Sequence, residues 1–392
     1  MNRKALLVVA AALAALVFTW QLGWLGKKPV FIGVVLPLTG PDAAVAAGMR
    51  NAVRMAVDET NAKGGVQGRR VEVLEVDDHE DQPTAKAAAA RLAADARVLG
   101  VTGYFNPAGF WASHDTYVLA RMPLVLSGLR ARESTHLFGT GDQEFSLLPL
   151  GPTVALPIAR WAWDTAGARK HLYVREGTFD GQSEVNIFRG ALTTVSGMLV
   201  SGGDERVAPD ATDFSPVLEQ LRARGSDLVF YGGRARQAAL LVKQLRAAGL
   251  TTPFVLGAHE PAQEFLDVAK EAAEGAVTGF PDRPLEDSQA GRAFLEKYLA
   301  GGFAEPPGRS ALLGYAGAQT LLAAMERSFL TRPSVGGALK NELFQTALGP
   351  VKYYVGGSTW QPPGVVYQVK GGRWVPVLQL AKDGKTLLPY AP

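Results

Sequence analysis

The hydrophobic pattern of the chain alternates between short continuous apolar runs and longer segments whose apolar residues recur every three or four positions. Continuous runs bounded by turn residues predict buried strands, and the helical spacing predicts amphipathic helices. In the first part of the chain the predicted strands are 30–36, 71–76, 98–103 and 124–127, and the predicted helices are 43–61, 84–94 and about 110–120. Strands that alternate with helices in this order predict a parallel, doubly wound α/β sheet.

The same alternation begins again after the turn residues Pro149, Gly151 and Pro152. The predicted helices here are 153–166, 182–195, 214–224, 237–248 and 264–273, and the predicted strands are 170–174, 227–231, 254–256 and 276–279. Beyond Pro281 the pattern predicts helices at 290–299 and 311–329, then short strands at 349–354, 365–369 and 375–380. The repetition of one architecture predicts two α/β lobes.

Composition supports two domains and narrows the class of protein. A chain of 392 residues with 47% hydrophobic content is too long for one ordinary core. The net charge of +3 comes from basic and acidic residues that are interleaved, whereas a nucleic-acid interface needs a clustered basic stripe. The chain has no cysteine, which excludes disulfides, thiolate metal sites and a lipid-modified cysteine anchor.

The first 28 residues read as a targeting segment. Arg3 and Lys4 precede an apolar stretch over residues 5–25, which is long enough to span a bilayer. Bulky residues at 18–21 occupy the place where a cleaved signal peptide carries small residues. An uncleaved membrane anchor is therefore favoured over a cleaved signal peptide, and both readings predict that the rest of the chain is exported.

One stretch carries the clearest motif. Residues 57–82 end a helix, turn on Gly64, Gly65 and Gly68, form a strand, and finish at Asp77 and Asp78. The glycines are expected where the backbone needs a positive φ. The two aspartates are expected to cap a helix or brace a turn, because the alternating acids and glycine of a calcium loop are missing. No metal site or cofactor is predicted.

This helix–NAKGGVQGR–strand–DD pattern resembles the type I periplasmic binding proteins of the leucine/isoleucine/valine-binding family. Further matches lie in order along the chain, at 231–233, 245–250, 273–275, 349–351 and 371–374. The resemblance implies two doubly wound lobes joined by a three-strand hinge, with lobe 1 at 29–148 plus 279–349 and lobe 2 at 149–278 plus 350–392. It implies a periplasmic protein that captures a small molecule between lobes that close on it. The apolar segment 5–25 adds the prediction that the protein is tethered to the inner membrane.

Ligands of doubly wound lobes bind beyond the carboxyl ends of the strands. In this family those strand ends line the cleft between the lobes. The loops that follow the predicted strands, together with the family's binding positions, give a set of candidate ligand-binding residues. They are Phe105, Asn106, Ala108, Ser127, Leu129, Arg130, Phe179, Asp180, Arg234, His259, Glu260 and Phe280.

The candidate site departs from the amino-acid-binding pattern of the family. Pro107 stands where a serine normally binds the α-carboxylate, and it offers neither a hydroxyl nor an N–H group. Arg234 stands at a tyrosine position, and Ala258 stands where an acidic residue pairs with the ammonium. We therefore expect a carboxylate or another non-standard ligand that pairs with Arg234. Two alternatives stay open: a shift of one or two residues brings His259 or Glu260 to the acidic position, and Arg234 is a solvated residue at a helix start.

Enzymatic function is not expected, since the chain lacks the nucleophile-elbow, zinc-protease, P-loop and dinucleotide motifs, and its five histidines are isolated. The expected partners are a small-molecule ligand and an ABC permease in the inner membrane. The alternative is a tethered ligand-sensing subunit, similar to amide sensors, which signals through a partner. Neighbouring genes for a permease and an ATPase, or for a kinase or antiterminator, distinguish the two.

Overall fold

The computed structural model describes residues 27–40, 42–105, 107–130, 143–148, 151–198, 200, 202–257, 262–280, 284–353, 359, 364–381 and 383–391. Fifteen strands lie in this part of the chain. They are β1 (Val30–Leu36), β2 (Val71–Asp77), β3 (Val98–Gly103), β4 (Leu124–Arg130), β5 (Glu144–Leu148), β6 (His171–Glu176), β7 (Gly202–Val207), β8 (Leu228–Gly232), β9 (Phe254–Leu256), β10 (Val277–Phe280), β11 (Leu343–Thr346), β12 (Gly349–Lys352), β13 (Val365–Lys370), β14 (Arg373–Leu380) and β15 (Leu387–Pro389).

Eleven α-helices lie in the same described residues. They are α1 (Ala43–Ala62), α2 (Gln82–Ala94), α3 (Pro107–Leu119), α4 (Gly151–Arg160), α5 (Phe179–Ser196), α6 (Ser215–Arg224), α7 (Ala235–Ala247), α8 (Gln263–Ala269), α9 (Gln289–Ala300), α10 (Arg309–Glu326) and α11 (Arg332–Asn341). A π-helical turn, Trp161–Thr165, extends α4, and a 3₁₀ turn, Lys270–Ala273, extends α8. No helix among the described residues is long and apolar enough to cross a membrane, and the predicted anchor at 5–25 lies outside them.

The chain divides into two compact units, each made of separate segments. Unit 1 contains Met1–Leu148 and Ser288–Trp360, and unit 2 contains Pro149–Asp287 and Gln361–Pro392. The predicted lobe boundaries near 278 and 349 need correction. Residues 279–287 belong to unit 2, because Gly279 and Phe280 pair with β13. Residues 350–360 belong to unit 1, where β12 pairs with β11.

Unit 1 is built on a five-stranded sheet in the order β2-β1-β3-β4-β5, in which all neighbours are parallel. The sheet carries helices on both faces. Leu92 of α2 packs against the sheet on one face, and Leu321 of α10 packs over Gly100 on the other. A side chain on Gly100 would come within 2.5 Å of Leu321, so the missing side chain lets α10 approach β3 closely.

Unit 2 has an eight-stranded sheet in the order β15-β14-β13-β10-β9-β8-β6-β7. In the sheet, β10, β9, β8, β6 and β7 are parallel to one another. The last three strands of the chain, β13, β14 and β15, add an antiparallel extension. Successive residues of β8 face opposite cores, with Phe230 in one and Tyr231 in the other. Since the side chains of a strand alternate between its faces, both faces of this sheet are covered by helices. The predicted α/β class with parallel sheets is therefore confirmed.

A buried ion pair between His114 and Glu144 ties helix α3 to β5, an edge strand of the unit 1 sheet. Their Nε2 and Oε1 atoms are 2.7 Å apart, and the side chains are 9% and 2% exposed. The Glu144 carboxylate raises the pKa of His114 above its ordinary value, although burial acts in the opposite direction. The imidazolium form is thus the one that the folded unit stabilises.

We expect the free energy of unfolding of unit 1 to fall by about 1–2 kcal/mol as the pH rises through the raised pKa of His114. The contribution is complete below the ordinary histidine pKa of about 6.5, and it is lost once His114 is neutral in both states. Denaturant unfolding between pH 6 and pH 9 measures this loss. The His114→Gln variant should lack it, and an unchanged pH profile in that variant would contradict the assignment.

Candidate ligand-binding site

Asp77, at the carboxyl end of β2 in unit 1, links the loop that follows β1 to the turn that follows β2. Its carboxylate accepts hydrogen bonds from Leu38 N at 3.0 Å, Thr39 Oγ at 2.8 Å and His79 N at 2.9 Å. Burial acts to raise the pKa of Asp77, but these hydrogen bonds outweigh it and hold the pKa below its usual value. Asp78 is fully buried, and its Oδ1 accepts from Glu80 N at 3.1 Å.

The two aspartates therefore brace a turn, as predicted from the sequence. The helix cap belongs to Asp81, which accepts from Thr84 N at the start of α2. Among the described residues, no group of three or more histidine or acidic side chains is placed to hold a metal ion.

The residue after β3 has a strained backbone that positions the next loop. Tyr104 has a φ of +63°, is fully buried, and shares a 2.8 Å hydrogen bond between its hydroxyl and that of Tyr117. Burial raises the pKa of Tyr104 to about 12. A side chain at Gly128 of β4 would lie 2.3 Å from the Tyr104 carbonyl oxygen and 2.5 Å from the Phe105 ring. Gly128 thus lets the half-buried Phe105 lie against the end of β4.

Two of the predicted site residues belong to cores. Ser127 is fully buried, and its hydroxyl lies 2.8 Å from the hydroxyl of Thr102 and faces Gly317 of α10. Phe280 is 8% exposed and packs against Val365 and Tyr367 within unit 2. These placements argue against a direct contact between either side chain and a ligand. The sequence pattern predicted the strand ends correctly but could not tell which face each side chain occupies.

Arg234 lies at the carboxyl end of β8, at the position that caps α7. Its Nε is 3.3 Å from Oε2 of Glu176, its backbone N donates to Glu176 Oε1 at 2.8 Å, and its Nη2 donates to Pro209 O at 3.2 Å. The Arg234 side chain is 63% exposed, whereas the Glu176 side chain is 1% exposed. A buried carboxylate therefore orients a guanidinium whose remaining surface faces solvent.

Glu176 forms a small network at the end of β6. Besides the two bonds from Arg234, its Oε1 accepts from the Tyr231 hydroxyl at 3.1 Å. Burial raises the pKa of Tyr231, and the nearby Glu176 carboxylate raises it further. Gly233, with a φ of +144°, makes room for this network, because a side chain there would lie 2.5 Å from Glu176 Cγ.

A second carboxylate, Glu184 of α5, reaches the same strand ends. Its Oε2 accepts from Gly233 N at 2.9 Å, and a side chain at Gly257 would lie 2.2 Å from that oxygen. The loop that begins at Glu176 was predicted to border the site, but neither Glu176 nor Glu184 is among the predicted site residues. The available signal was the glycines at 232, 233 and 257, because glycines at strand ends are typical of places where another group approaches the backbone closely.

The other predicted site residues are placed only in part. Ala108 is exposed in the first turn of α3, Leu129 and Arg130 end β4, and Phe179 and Asp180 begin α5. Asn106, His259 and Glu260 lie outside the described residues. The candidates with described positions thus lie at or near the carboxyl ends of strands in their own unit, apart from the two core side chains.

Comparison with known proteins gives the family. The sequence profile described as "Periplasmic binding protein" matches residues 29–373. The Leu/Ile/Val-binding protein homolog 1 of Brucella abortus (strain 2308) is 26% identical over 371 residues, which cover 92% of this chain and 95% of that protein.

Two solved structures share the fold. A leucine-binding protein from Thermotoga maritima aligns with a TM-score of 0.75 at 22% identity, covering 90% of this chain and 99% of that one. A solute-binding protein from R. palustris in complex with benzoate aligns with a TM-score of 0.70 at 19% identity, covering 92% and 98%. Proteins of this family bind substrates and are not catalytic. The chain belongs to the periplasmic binding proteins.

Proposed function

We propose that this protein delivers a small organic carboxylate to an ABC permease in the inner membrane, and that its ligand lacks the α-ammonium group of a standard amino acid. The observation that carries the proposal is the environment of Arg234 at a strand end. The buried Glu176 carboxylate orients the guanidinium, and the Arg234 side chain is 63% exposed. A guanidinium that is already oriented binds a carboxylate through parallel hydrogen bonds with little further loss of side-chain entropy.

Two further observations favour a ligand other than a standard amino acid. Pro107 begins α3 without an N–H group, so unit 1 lacks one donor that an α-carboxylate would use. The structural neighbour from R. palustris carries benzoate, a carboxylate without an amino group. Capture between the two lobes, which the ligand stabilises in a closed state, is the mechanism that we propose.

Glu184 supports a second ligand class. Its carboxylate lies at the ends of β8 and β9, where it would accept an ammonium group in place of the acid that the sequence lacks at Ala258. An amino acid would then bind with its ammonium at Glu184. The two classes make opposite predictions for two single substitutions.

A thermal-shift screen against aliphatic and aromatic carboxylates, branched-chain amino acids, amides and urea comes first, since a ligand that binds only the folded state raises the melting temperature. For a carboxylate ligand, we expect Arg234→Gln to weaken binding about tenfold and Glu184→Gln to leave it unchanged. Arg236→Gln, an exposed arginine two residues further along, is the matched control. Binding of leucine that depends on Glu184 and not on Arg234 would contradict the carboxylate proposal.

We also propose that residues 5–25 are retained as a membrane anchor. The bulky residues Phe18, Trp20 and Gln21 are poorly suited to signal-peptide cleavage, and Trp20 and Trp24 suit a membrane interface. The intact mass of the protein recovered from membranes tests this. A mass that corresponds to a chain starting near residue 26 would overturn it.

Ligand sensing is a second candidate function, which a retained anchor would favour. A tethered binding protein can pass its closed state to a signalling partner in the same membrane instead of a permease. The neighbouring genes decide between these partners: permease and ATPase genes would favour transport, and a kinase or antiterminator gene would favour sensing.

A further inference from the structure

An open groove with a volume of about 480 Å³ lies at the end of the unit 1 sheet that is opposite the candidate ligand-binding loops of that unit. It is lined by the residues that precede β1, β2 and β3, so it lies at the amino ends of these parallel strands. We call it the basic groove, after four of its lining side chains: Lys27, Lys28, Arg69 and Arg97. The candidate ligand-binding loops of unit 1 follow the carboxyl ends of the same strands.

Local contacts hold the cations of the basic groove in place. Lys27 Nζ donates to Gln67 O at 2.9 Å, and Arg69 Nη1 donates to Lys28 O at 3.1 Å. Arg97 lies over the Phe31 ring with its Cζ 4.3 Å from the ring centroid. Carbonyl oxygens and a ring face orient a cation without cancelling its charge, so most of these contacts leave the groove positive.

Among the described residues, two carboxylates contact this surface. Asp95 pairs with Arg97 at 2.7 Å, and Glu326 Oε2 accepts from Gln67 N at 2.7 Å. Glu72 also acts electrostatically on Arg97, and Arg332 acts on Asp95, so five cations and three carboxylates leave a surplus of two positive charges. The surplus is concentrated on one edge of a unit whose wider surface mixes both signs.

The basic groove also carries an exposed aromatic side chain. Phe329 lies on its wall and is 90% exposed, and the next residue, Leu330, adopts a φ of +52°. Exposure of a phenylalanine side chain to water costs free energy, and the neighbouring cations do not cover it. The same combination is typical of surfaces that lie on the interfacial region of a membrane.

The position of the groove along the chain indicates the membrane as its occupant. Lys27 follows the apolar segment 5–25 by two residues, and β1 begins at Val30. Five extended residues span at most about 18 Å, so an inserted segment would hold the amino end of β1 within that distance of the bilayer. The basic groove is the surface of unit 1 that this short connection would bring to the headgroups.

We propose that the basic groove docks unit 1 on the anionic phospholipid surface from which its own anchor emerges. This inference rests on the proposed retention of residues 5–25 and goes beyond it, since a tether alone sets no orientation. Lys27, Lys28, Arg69 and Arg97 contact lipid phosphates, and Phe329 enters the interfacial layer. Docking then leaves the carboxyl ends of the unit 1 strands facing away from the membrane.

The absence of cysteine from the chain permits a test with a single label in the full-length protein. Ala96→Cys places a fluorophore on the exposed rim of the groove, and Val45→Cys places it on the opposite edge of the same unit. Each protein is inserted into vesicles that contain a quencher on a lipid headgroup, with or without one-third phosphatidylglycerol. We expect quenching of the Ala96 label to rise about threefold in the anionic vesicles, to fall with salt, and to exceed that of the Val45 label.

Two triple variants remove equal charge from different places. Lys27→Gln/Lys28→Gln/Arg69→Gln should remove the gain in quenching at Ala96, whereas Arg222→Gln/Arg224→Gln/Lys243→Gln, on exposed helix positions of unit 2, should retain it. Melting temperatures confirm that both variants are folded. Equal quenching in neutral and anionic vesicles, or equal effects of the two triple variants, would overturn the docking proposal even if the anchor is retained. A chain that does not insert at all would overturn the anchor and the docking together.

Discussion

Replacing Glu176 with alanine is expected to lower the free energy of unfolding of unit 2 by about 3 kcal/mol. The carboxylate is the acceptor for the Tyr231 hydroxyl, the Arg234 backbone N–H and the Arg234 Nε. Tyr231 is fully buried, so its hydroxyl would be left without this partner in the protein interior. Arg234, being largely exposed, regains water and adds less to the loss. Denaturant unfolding that follows unit 2 measures the effect.

Asp204 gives a matched control. It is also a carboxylate on unit 2, and it pairs with Arg175 at 2.8 Å and with Arg189 at 3.0 Å, but its side chain is 32% exposed. Asp204→Ala should therefore cost at most about 1 kcal/mol, because a solvated ion pair contributes little. If both variants lost the same stability, the buried network would not be what sets Glu176 apart.

Replacing Gly65 with alanine is expected to lower the free energy of unfolding of unit 1 by about 4 kcal/mol. Gly65 has a φ of +72°, and an added Cβ would lie 1.9 Å from the carbonyl oxygen of Arg69. The clash is with backbone, and that backbone is fixed by the paired hydrogen bonds between Val66 and Arg69. The turn must open or the chain must move, and either change disturbs the entry into β2. Thermal and denaturant unfolding of the purified variant check the magnitude.

A Gly68→Ala variant in the same turn distinguishes the cost of backbone strain from the cost of the steric clash. The φ of Gly68 is +71°, but an added Cβ would meet only the end of the Lys27 side chain, at 3.2 Å. Gly68→Ala should cost only about 1–2 kcal/mol, which is the penalty of a left-handed backbone for a residue with a Cβ. Equal losses for the two variants would show that strain alone accounts for the effect at Gly65.

Much of the fold could be predicted because its strands are apolar and its helices are long. The segment from α1 through the glycine turn into β2 and Asp77 has the structure that its pattern predicts. The pattern did not predict strands β5, β7, β11 and β15 or helix α11. β7 has the sequence Gly-Gly-Asp-Glu-Arg-Val and lies at the edge of its sheet, so it carries no apolar run that the pattern could detect.

The candidate site could be predicted only as a set of strand ends. That Arg234 lies at such an end follows from the short apolar strand before it. Its pairing with Glu176 does not follow, because the two residues are 58 positions apart and their contact depends on how β6 and β8 pair. Ser127 shows the converse limit. Its place at the end of an apolar run suggested a ligand contact, but the strand turns its hydroxyl toward α10.

The interleaving of the two units has a consequence for when the protein can fold during synthesis and export. α1 of unit 1 packs against α10, which lies far along the chain: a side chain on Gly314 would meet Met49, 265 positions earlier, at 2.4 Å. The sheet of unit 2 is completed by β13, β14 and β15, the last of which ends at Pro389. Neither unit can close its core until most of the chain has left the ribosome or the translocation channel. A nascent chain that cannot fold early stays extended, which is the state that a narrow export channel requires.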